Sequence, residues 1–231
     1  MIIGINGYSG SGKDTVGTII QYLSVNDNNQ LTTSLEDVLE FPITHDWWLE
    51  EESGWEIKKW AGKLKEIASI LTGIPKHKFE DQEFKKTDLG PEWNCNPPEK
   101  RGLGTSHKQP LTVREFLQRL GTDALREGLH DNTWINALMA DYKAIDYNDD
   151  EQPEHPNWII TDTRFPNEAQ AIKDKGGIII RVDRPGVKPI NDHPSETGLD
   201  DWKFDYKIAN VSDIKALSLS VRIILEKEKI I

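Results

Sequence analysis

A three-layer α/β fold built on a mainly parallel sheet is what this sequence predicts, on three observations. The apolar run Ile2, Ile3, Ile5 passes directly into the glycine-rich stretch GYSGSGK at 7 to 13, after which Val16, Ile19, Ile20 and Leu23 recur at helical spacing. The run Trp158, Ile159, Ile160 ends at Asp162 and leads to a helix over 166 to 175, opened by Pro166 and closed by Gly176 and Gly177, and then to the strand Ile178 to Val182. Strands that alternate with helices are joined by right-handed crossovers, which make the strands parallel and cover both faces of the sheet. Third, 231 residues suffice for one sizeable core with a small inserted excursion.

The elements follow in order. The helix behind the glycine loop spans 13 to 24 and is ended by Asn26 to Asn29. Residues 26 to 56 are polar and acidic, with a short strand expected near Thr32 to Leu35 or a surface excursion in its place. Ile57, Trp60, Ala61, Leu64, Ile67, Ala68 and Leu71 form an amphipathic stripe closed by Gly73 and Pro75, which predicts a helix. Residues 74 to 110 mix Lys, Glu, Pro and Gly with little period and read as an excursion from the core suited to a substrate flap. A helix over 112 to 127 starts at Thr112, with Glu115 as its capping-box partner, and another runs from Asp131 to about Ile145. Asn148 to Asn157 is an acidic connection, and 184 to 204 is a long lid-like loop rich in Pro, Asp and Gly. Tyr206 to Ala209 forms the last strand and Ile214 to Leu225 the last helix.

Composition narrows the function. A net charge of −11 argues against a nucleic-acid backbone as the main partner, which would require clustered Lys and Arg. The single cysteine, Cys95, excludes an internal disulfide, has no partner at ligand spacing and fits a reducing compartment. The opening MIIGING carries no charged leader and the chain no apolar run of membrane length, so the expectation is a cytoplasmic protein without membrane partners.

The residues that can carry chemistry begin in the glycine loop. Gly7, four residues, Gly12 and Lys13 match the spacing of a triphosphate-binding loop, in which backbone N–H groups form an anion cradle at a helix N-terminus and the lysine reaches the outer phosphates. The competing reading is a tight strand-to-helix turn. Asp14 stands where Ser or Thr usually supplies a hydroxyl to the metal, and Thr15 follows it. Asp162, at the end of an apolar strand, is placed to hold Mg²⁺ directly or through water, or else caps a turn. Arg164 comes two residues later, and alternation along an extended segment puts both side chains on one side. On the helix at 112 to 127, Arg114, Gln118 and Gly121 repeat at i, i+4 and i+7, with Thr122 at i+8. That polar face suits a phosphate and a nucleobase edge, or is simply solvated. Trp134 either stacks on a base or anchors its helix, while His193 and Glu196 lie in the lid-like loop with Arg184 at its base.

Separated strings agree with one family. GYSGSGKDT, WAGKLKEIASILTG at 60 to 73, RxxxQxLGTDxxR at 114 to 126, DNTW at 131 to 134, TDTRFPNEAQAI at 161 to 172, RPG at 184 to 186 and HPSE at 193 to 196 together resemble the deoxynucleoside monophosphate kinases of tailed bacteriophages, over most of the chain. Asp14 is itself a feature of that family. The resemblance implies a P-loop, NMP-kinase-like fold forming one domain over 1 to 231. It also implies transfer of the γ-phosphoryl of ATP, with Mg²⁺, to a deoxynucleoside monophosphate in the host cytoplasm, and allows a homodimer. By matching position, Gly10, Ser11, Gly12, Lys13, Asp14, Thr15 and Arg184 look like the ATP and magnesium end. Lys65, Arg114, Gln118, Gly121, Thr122 and Trp134 look like the acceptor side, and Asp162, Arg164 and Glu168 like a second catalytic cluster, in which Arg164 and Glu168 also meet the acceptor. Lys63 replaces a proline often seen in the family, and Glu115 stands where a second basic residue can occur. The other readings are a different small-molecule kinase, such as a dephospho-coenzyme A kinase or an adenylate-kinase relative, and a nucleotide-sensing regulator or NTPase.

Overall fold

The computed structural model describes residues 1–25, 33–95, 108–144, 155–189 and 194–231. The described chain falls into two compact units, Met1–Trp60 with Leu138–Ile231, and Ala61–Ala137.

In the first unit, β1 (Ile2–Asn6) is followed by α1 (Lys13–Ser24), α2 (Leu35–Glu40), α3 (Pro42–Ser53) and β2 (Trp55–Lys58). The α2 helix replaces the strand expected near Thr32 to Leu35, of which Thr32 lies outside the described residues. Ser34 caps it, accepting from the Asp37 N–H, and the S-x-x-D pattern is legible in the sequence. Strand β2 is the second correction. Ile57 and Trp60 fall at helical spacing with the residues after them, yet Trp55 to Lys58 extend as an edge strand paired in parallel with the strand at 157–160. The stripe therefore becomes helical only at α4 (Ala61–Thr72), which belongs to the second unit.

After the second unit the chain forms the rest of the sheet from β3 (Asn157–Ile160), β4 (Ile178–Asp183) and β5 (Tyr206–Ala209), with α7 (Pro166–Asp174), the short α8 (Pro194–Thr197) and α9 (Ile214–Lys227) between and after them. All five strands are parallel in the order β2-β3-β1-β4-β5. On one face Ile3, Ile5, Ile159, Ile180, Val182 and Ile208 pack with Val16, Ile19 and Ile20 of α1 and Leu217, Val221 and Leu225 of α9. Buried Ala169 and Ile172 place α7 against β1 and β4, which completes the three layers expected from the βαβ pattern. The connection from β1 runs to β2 on one side of the sheet, whereas the connection from β3 crosses β1 to reach β4 on the other, so the C-terminal end of β1 is the switch point where ligands bind in such sheets.

The second unit has its own core of Ala68, Phe79, Leu111, Val113, Phe116 and Leu117. Three single 3₁₀ turns occupy Lys76–Glu80, Phe84–Lys86 and Pro91–Trp93, the described part of the expected excursion. The helix α5 (Val113–Gln118) starts as predicted: Thr112 Oγ1 accepts from the Glu115 N–H at 3.2 Å and Glu115 Oε2 accepts from the Thr112 N–H at 3.0 Å. The helix then widens into a π-helix over Arg119–Glu127. The next helix, α6 (Thr133–Met139), is shorter than expected, and Ile145 lies outside the described residues.

The Thr112 N–H, then its hydroxyl, hold the Glu115 carboxyl below its ordinary value against the opposing pull of partial burial. A depressed folded-state value means that this cap stabilises fully above the ordinary glutamate range and fades as pH falls through the depressed value. Thr112→Ala is expected to lower stability at neutral pH by about 1 kcal/mol, and the difference from wild type to shrink in acid, as urea midpoints at several pH values would show.

Candidate active site

The glycine loop follows directly on β1, all five residues of which are buried. Gly10 and Gly12 take φ of +83° and +96°, left-handed conformations that favour glycine. At Gly7 the need is space: a Cβ there would lie 2.4 Å from Ser11 Oγ and 2.6 Å from the Val182 carbonyl oxygen. The loop's carbonyls are tied down from within the unit. The Tyr8 carbonyl accepts from the Ser11 N–H at 3.0 Å, the Ser11 carbonyl from Asn210 Nδ2 at 2.9 Å, and the Gly10 carbonyl from Arg184 Nη1 at 3.4 Å. Gly12 gives α1 no side-chain cap, so its first-turn N–H groups point out of the helix end without that partner. Ser11 Oγ is buried and, among the described residues, has no hydrogen-bond partner. An orphaned hydroxyl beside an uncapped helix start and a lysine is a site shaped for an anion.

Asp14 sits where three strand ends converge. Its Oδ1 accepts from Thr161 Oγ1 at 2.8 Å and lies 3.2 Å from Lys59 Nζ, while Oδ2 lies 3.6 Å from Lys13 Nζ. Lys59 directly follows β2, Thr161 follows β3, and α1 follows β1, so parallel strands deliver all three to one edge. Partial burial pushes the Asp14 carboxyl up, but Lys59 first, then Lys13 and the Thr161 hydroxyl, outweigh it and hold the group below its ordinary value. Asp14 is thus a carboxylate at neutral pH. Lys59 is absent from the residues singled out in the sequence because the helical reading of 57 to 71 gave it no strand end to stand on.

Asp162 and Arg164 differ from the expectation that they face one side. A turn at 161 and 162 ends the extended register: Asp162 is buried and its Oδ1 accepts from the Trp60 N–H at 2.7 Å, whereas Arg164 is exposed, with Nη1 3.9 Å from Glu196 Oε1. Glu168, 2% exposed, accepts from the N–H groups of Arg164 at 2.8 Å and Phe165 at 3.1 Å. Its carboxylate therefore braces the turn that carries Arg164. His193 lies outside the described residues.

In the second unit the expected polar face is only partly formed. Arg114 Nη2 donates to Gln82 Oε1 at 3.2 Å and Gln118 is exposed, but from Arg119 onward the wider π-helical turn rotates the residues off the i, i+4, i+7 line. Gly121 is buried against α4: a Cβ there would lie 2.9 Å from Leu64 Cδ2, and its carbonyl accepts from Trp134 Nε1 at 2.9 Å. Trp134 is 5% exposed. Of its two readings, the structure supplies the partners of an anchor. Lys65 is buried and pairs with Glu80, and Thr122 is half-buried. Arg119, not singled out in the sequence, donates from Nη1 to Cys95 Sγ at 2.7 Å.

Among the described residues no three His, Cys, Asp or Glu side chains gather as a metal cluster, and no helix is long and apolar enough to cross a membrane. The sequence matches the family model for deoxynucleotide monophosphate kinase over residues 85–221, more than half of the chain. The chain belongs to the deoxynucleotide monophosphate kinase family. Within this kinase family it is 30% identical to a putative deoxynucleotide monophosphate kinase of Acanthamoeba polyphaga mimivirus, over 73% of this chain and 81% of the relative. It is 26% identical to the deoxynucleoside-5'-monophosphate kinase of Escherichia phage T5, over 96% and 94% of the two chains. A deoxynucleotide monophosphate kinase of Enterobacteria phage T4 is 30% identical over 48% of this chain and 44% of its own length. The family-model span contains Arg114, Gln118, Trp134, Asp162 and Arg164 but not the glycine loop, whose case rests on its geometry.

Proposed function

We propose that the protein transfers the γ-phosphoryl group of ATP to a deoxynucleoside 5'-monophosphate, giving the diphosphate and ADP. The observation that carries this reading is the orphaned, buried Ser11 hydroxyl in a glycine loop that ends at Lys13, in a chain whose viral relatives bear the kinase name. The loop amides, Ser11, Lys13 and Thr15 hold the donor phosphates, and Arg184, already on the Gly10 carbonyl, closes over them. The oxygen donors suit Mg²⁺: the Asp14 carboxylate between Lys13 and Lys59, the Asp162 carboxylate and the Thr15 hydroxyl would hold it. When bound, the ion neutralises charge on the β- and γ-phosphates.

No protein nucleophile is required, because the acceptor phosphate attacks for itself. The barrier is the approach of two anions, and the chain lowers it with Lys13 and Arg164, which offset that charge and fix the line of attack. Lys59 helps to hold the Asp14 carboxyl below its ordinary value and orients it. Arg114 and Gln118 contact the acceptor nucleotide, with Lys65 and Thr122 nearby in the same unit. Gly121 and Trp134 act on it through the helix position they fix, and Glu168 acts through the turn that carries Arg164. The whole chain works as one kinase with residues 74 to 110 as its substrate excursion and 184 to 204 as its lid. Host cytoplasm is the matching location.

The test is a coupled ADP-release assay with ATP, Mg²⁺ and each deoxy- and ribonucleoside monophosphate in turn, beside a control without acceptor. The expected result is ADP release that requires a deoxynucleoside monophosphate. Equal release without any acceptor would make the protein an NTPase and end this reading.

A further inference from the structure

A guanidinium lies buried beneath the glycine loop. Arg181 on β4 is 7% exposed, and its register partner across the sheet is Asn6, the last residue of β1. Its Nη1 donates to Asn6 Oδ1 and, at 3.3 Å, to Asp200 Oδ1, while Nε donates to Asp183 Oδ1 at 2.8 Å. The guanidinium carbon stands 4.5 Å from the centre of the Tyr8 ring, a cation–π distance, and the Tyr8 hydroxyl donates to Asp200 at 2.9 Å. Asn6 passes the contact on: its Nδ2 donates to the Thr163 carbonyl at 2.7 Å.

One planar fork therefore touches both halves of the candidate site in this unit. Through Tyr8, whose carbonyl closes the loop turn with the Ser11 N–H, it fixes the entry to the anion cradle. Through Asn6 and Thr163 it fixes the turn between Asp162 and Arg164. A hydrophobic residue of similar size would fill the same space without a charge to desolvate, so packing alone gives no reason for an arginine here. We propose that Arg181 is a positioning residue for phosphoryl transfer, holding the glycine loop and the Asp162–Arg164 turn in register through Tyr8 and Asn6. The proposal rests on the kinase reading above. Lysine keeps the charge but lacks the planar fork, so it cannot reach Asn6, Asp183 and Asp200 together.

Steady-state kinetics of Arg181→Lys and Tyr8→Phe against wild type, on protein whose folding is verified by circular dichroism and thermal midpoint, test this. Arg181→Lys is expected to lower kcat about 10- to 100-fold, the scale of an ångström-sized misplacement. Tyr8→Phe keeps the ring over the guanidinium and removes the hydroxyl with its bonds to Asp200 and its interaction with Arg181; it is expected to lower kcat several-fold with an unchanged midpoint. A folded Arg181→Lys with wild-type kcat and KM overturns the proposal. Should that variant not fold, wild-type kinetics in Tyr8→Phe overturn it equally. Wild-type protein without acceptor-dependent ADP release is the separate result that ends the kinase reading.

Discussion

Lys13→Ala is expected to lower turnover by two or more powers of ten while leaving the fold in place. The magnitude is that of removing one preorganised charge contact from a site where charge develops in the transition state. The sparing of the fold follows from the contacts that remain: Asp14 keeps Lys59 and Thr161 when Lys13 is gone, and the loop keeps its Tyr8, Ser11 and Asn210 hydrogen bonds. Stability is expected to change by less than about 1 kcal/mol, because the pair that Lys13 makes is long, at 3.6 Å, and its carboxylate partner is exposed to solvent. Single-turnover phosphoryl transfer and a urea titration of the same sample separate the two effects. Wild-type turnover in this variant would remove Lys13 from the mechanism and, with it, the loop as donor site.

Trp134→Ala carries the largest expected cost in stability, about 3–5 kcal/mol, the range for deleting a buried aromatic. It also strips the Gly121 carbonyl of its indole donor and loosens the segment that lies against Leu64. Trp134→Phe divides the two roles of this residue. An anchor loses its hydrogen bond on that change and destabilises by about 1–3 kcal/mol, the cost of an unsatisfied buried group. A base-stacking ring would instead keep the urea midpoint and raise the acceptor KM, because the smaller phenyl ring covers less of a base. An unaltered midpoint in Trp134→Phe would return the residue to the substrate.

The sequence made some of these features readable and hid others for a physical reason. The glycine loop, the Thr112–Glu115 cap, the helix between Pro166 and Gly176, and the final strand and helix are local: their signals lie within a few residues, and the structure places them within two or three positions of the expectation. Strand β2 was obscured because Ile57 and Trp60 fit a helical period as well as a strand, and pairing with β3 decides the matter from about a hundred residues away. The π-helical widening after Gln118 left no mark on the residue pattern, so the face drawn through Gly121 and Thr122 was drawn with the wrong period. Lys59, Arg181 and Asn210 escaped notice for a shared reason. Each is an ordinary residue at or near a strand end, and only the order of strands makes it part of a site.

That order has a consequence in time. Strand β1 is the first element of the sheet to leave the ribosome, yet both of its neighbours, β3 and β4, come from residues 157–160 and 178–183. At ordinary synthesis rates the apolar IIGIN segment waits roughly ten to thirty-five seconds for its partners. The anion cradle waits longer still, until Arg184 and Asn210 arrive to hold its carbonyls. The nascent chain thus carries an unpaired apolar strand, an aggregation risk, before its glycine loop is held, and the loop's bond from Asn210 forms only after the last strand of the sheet has been made.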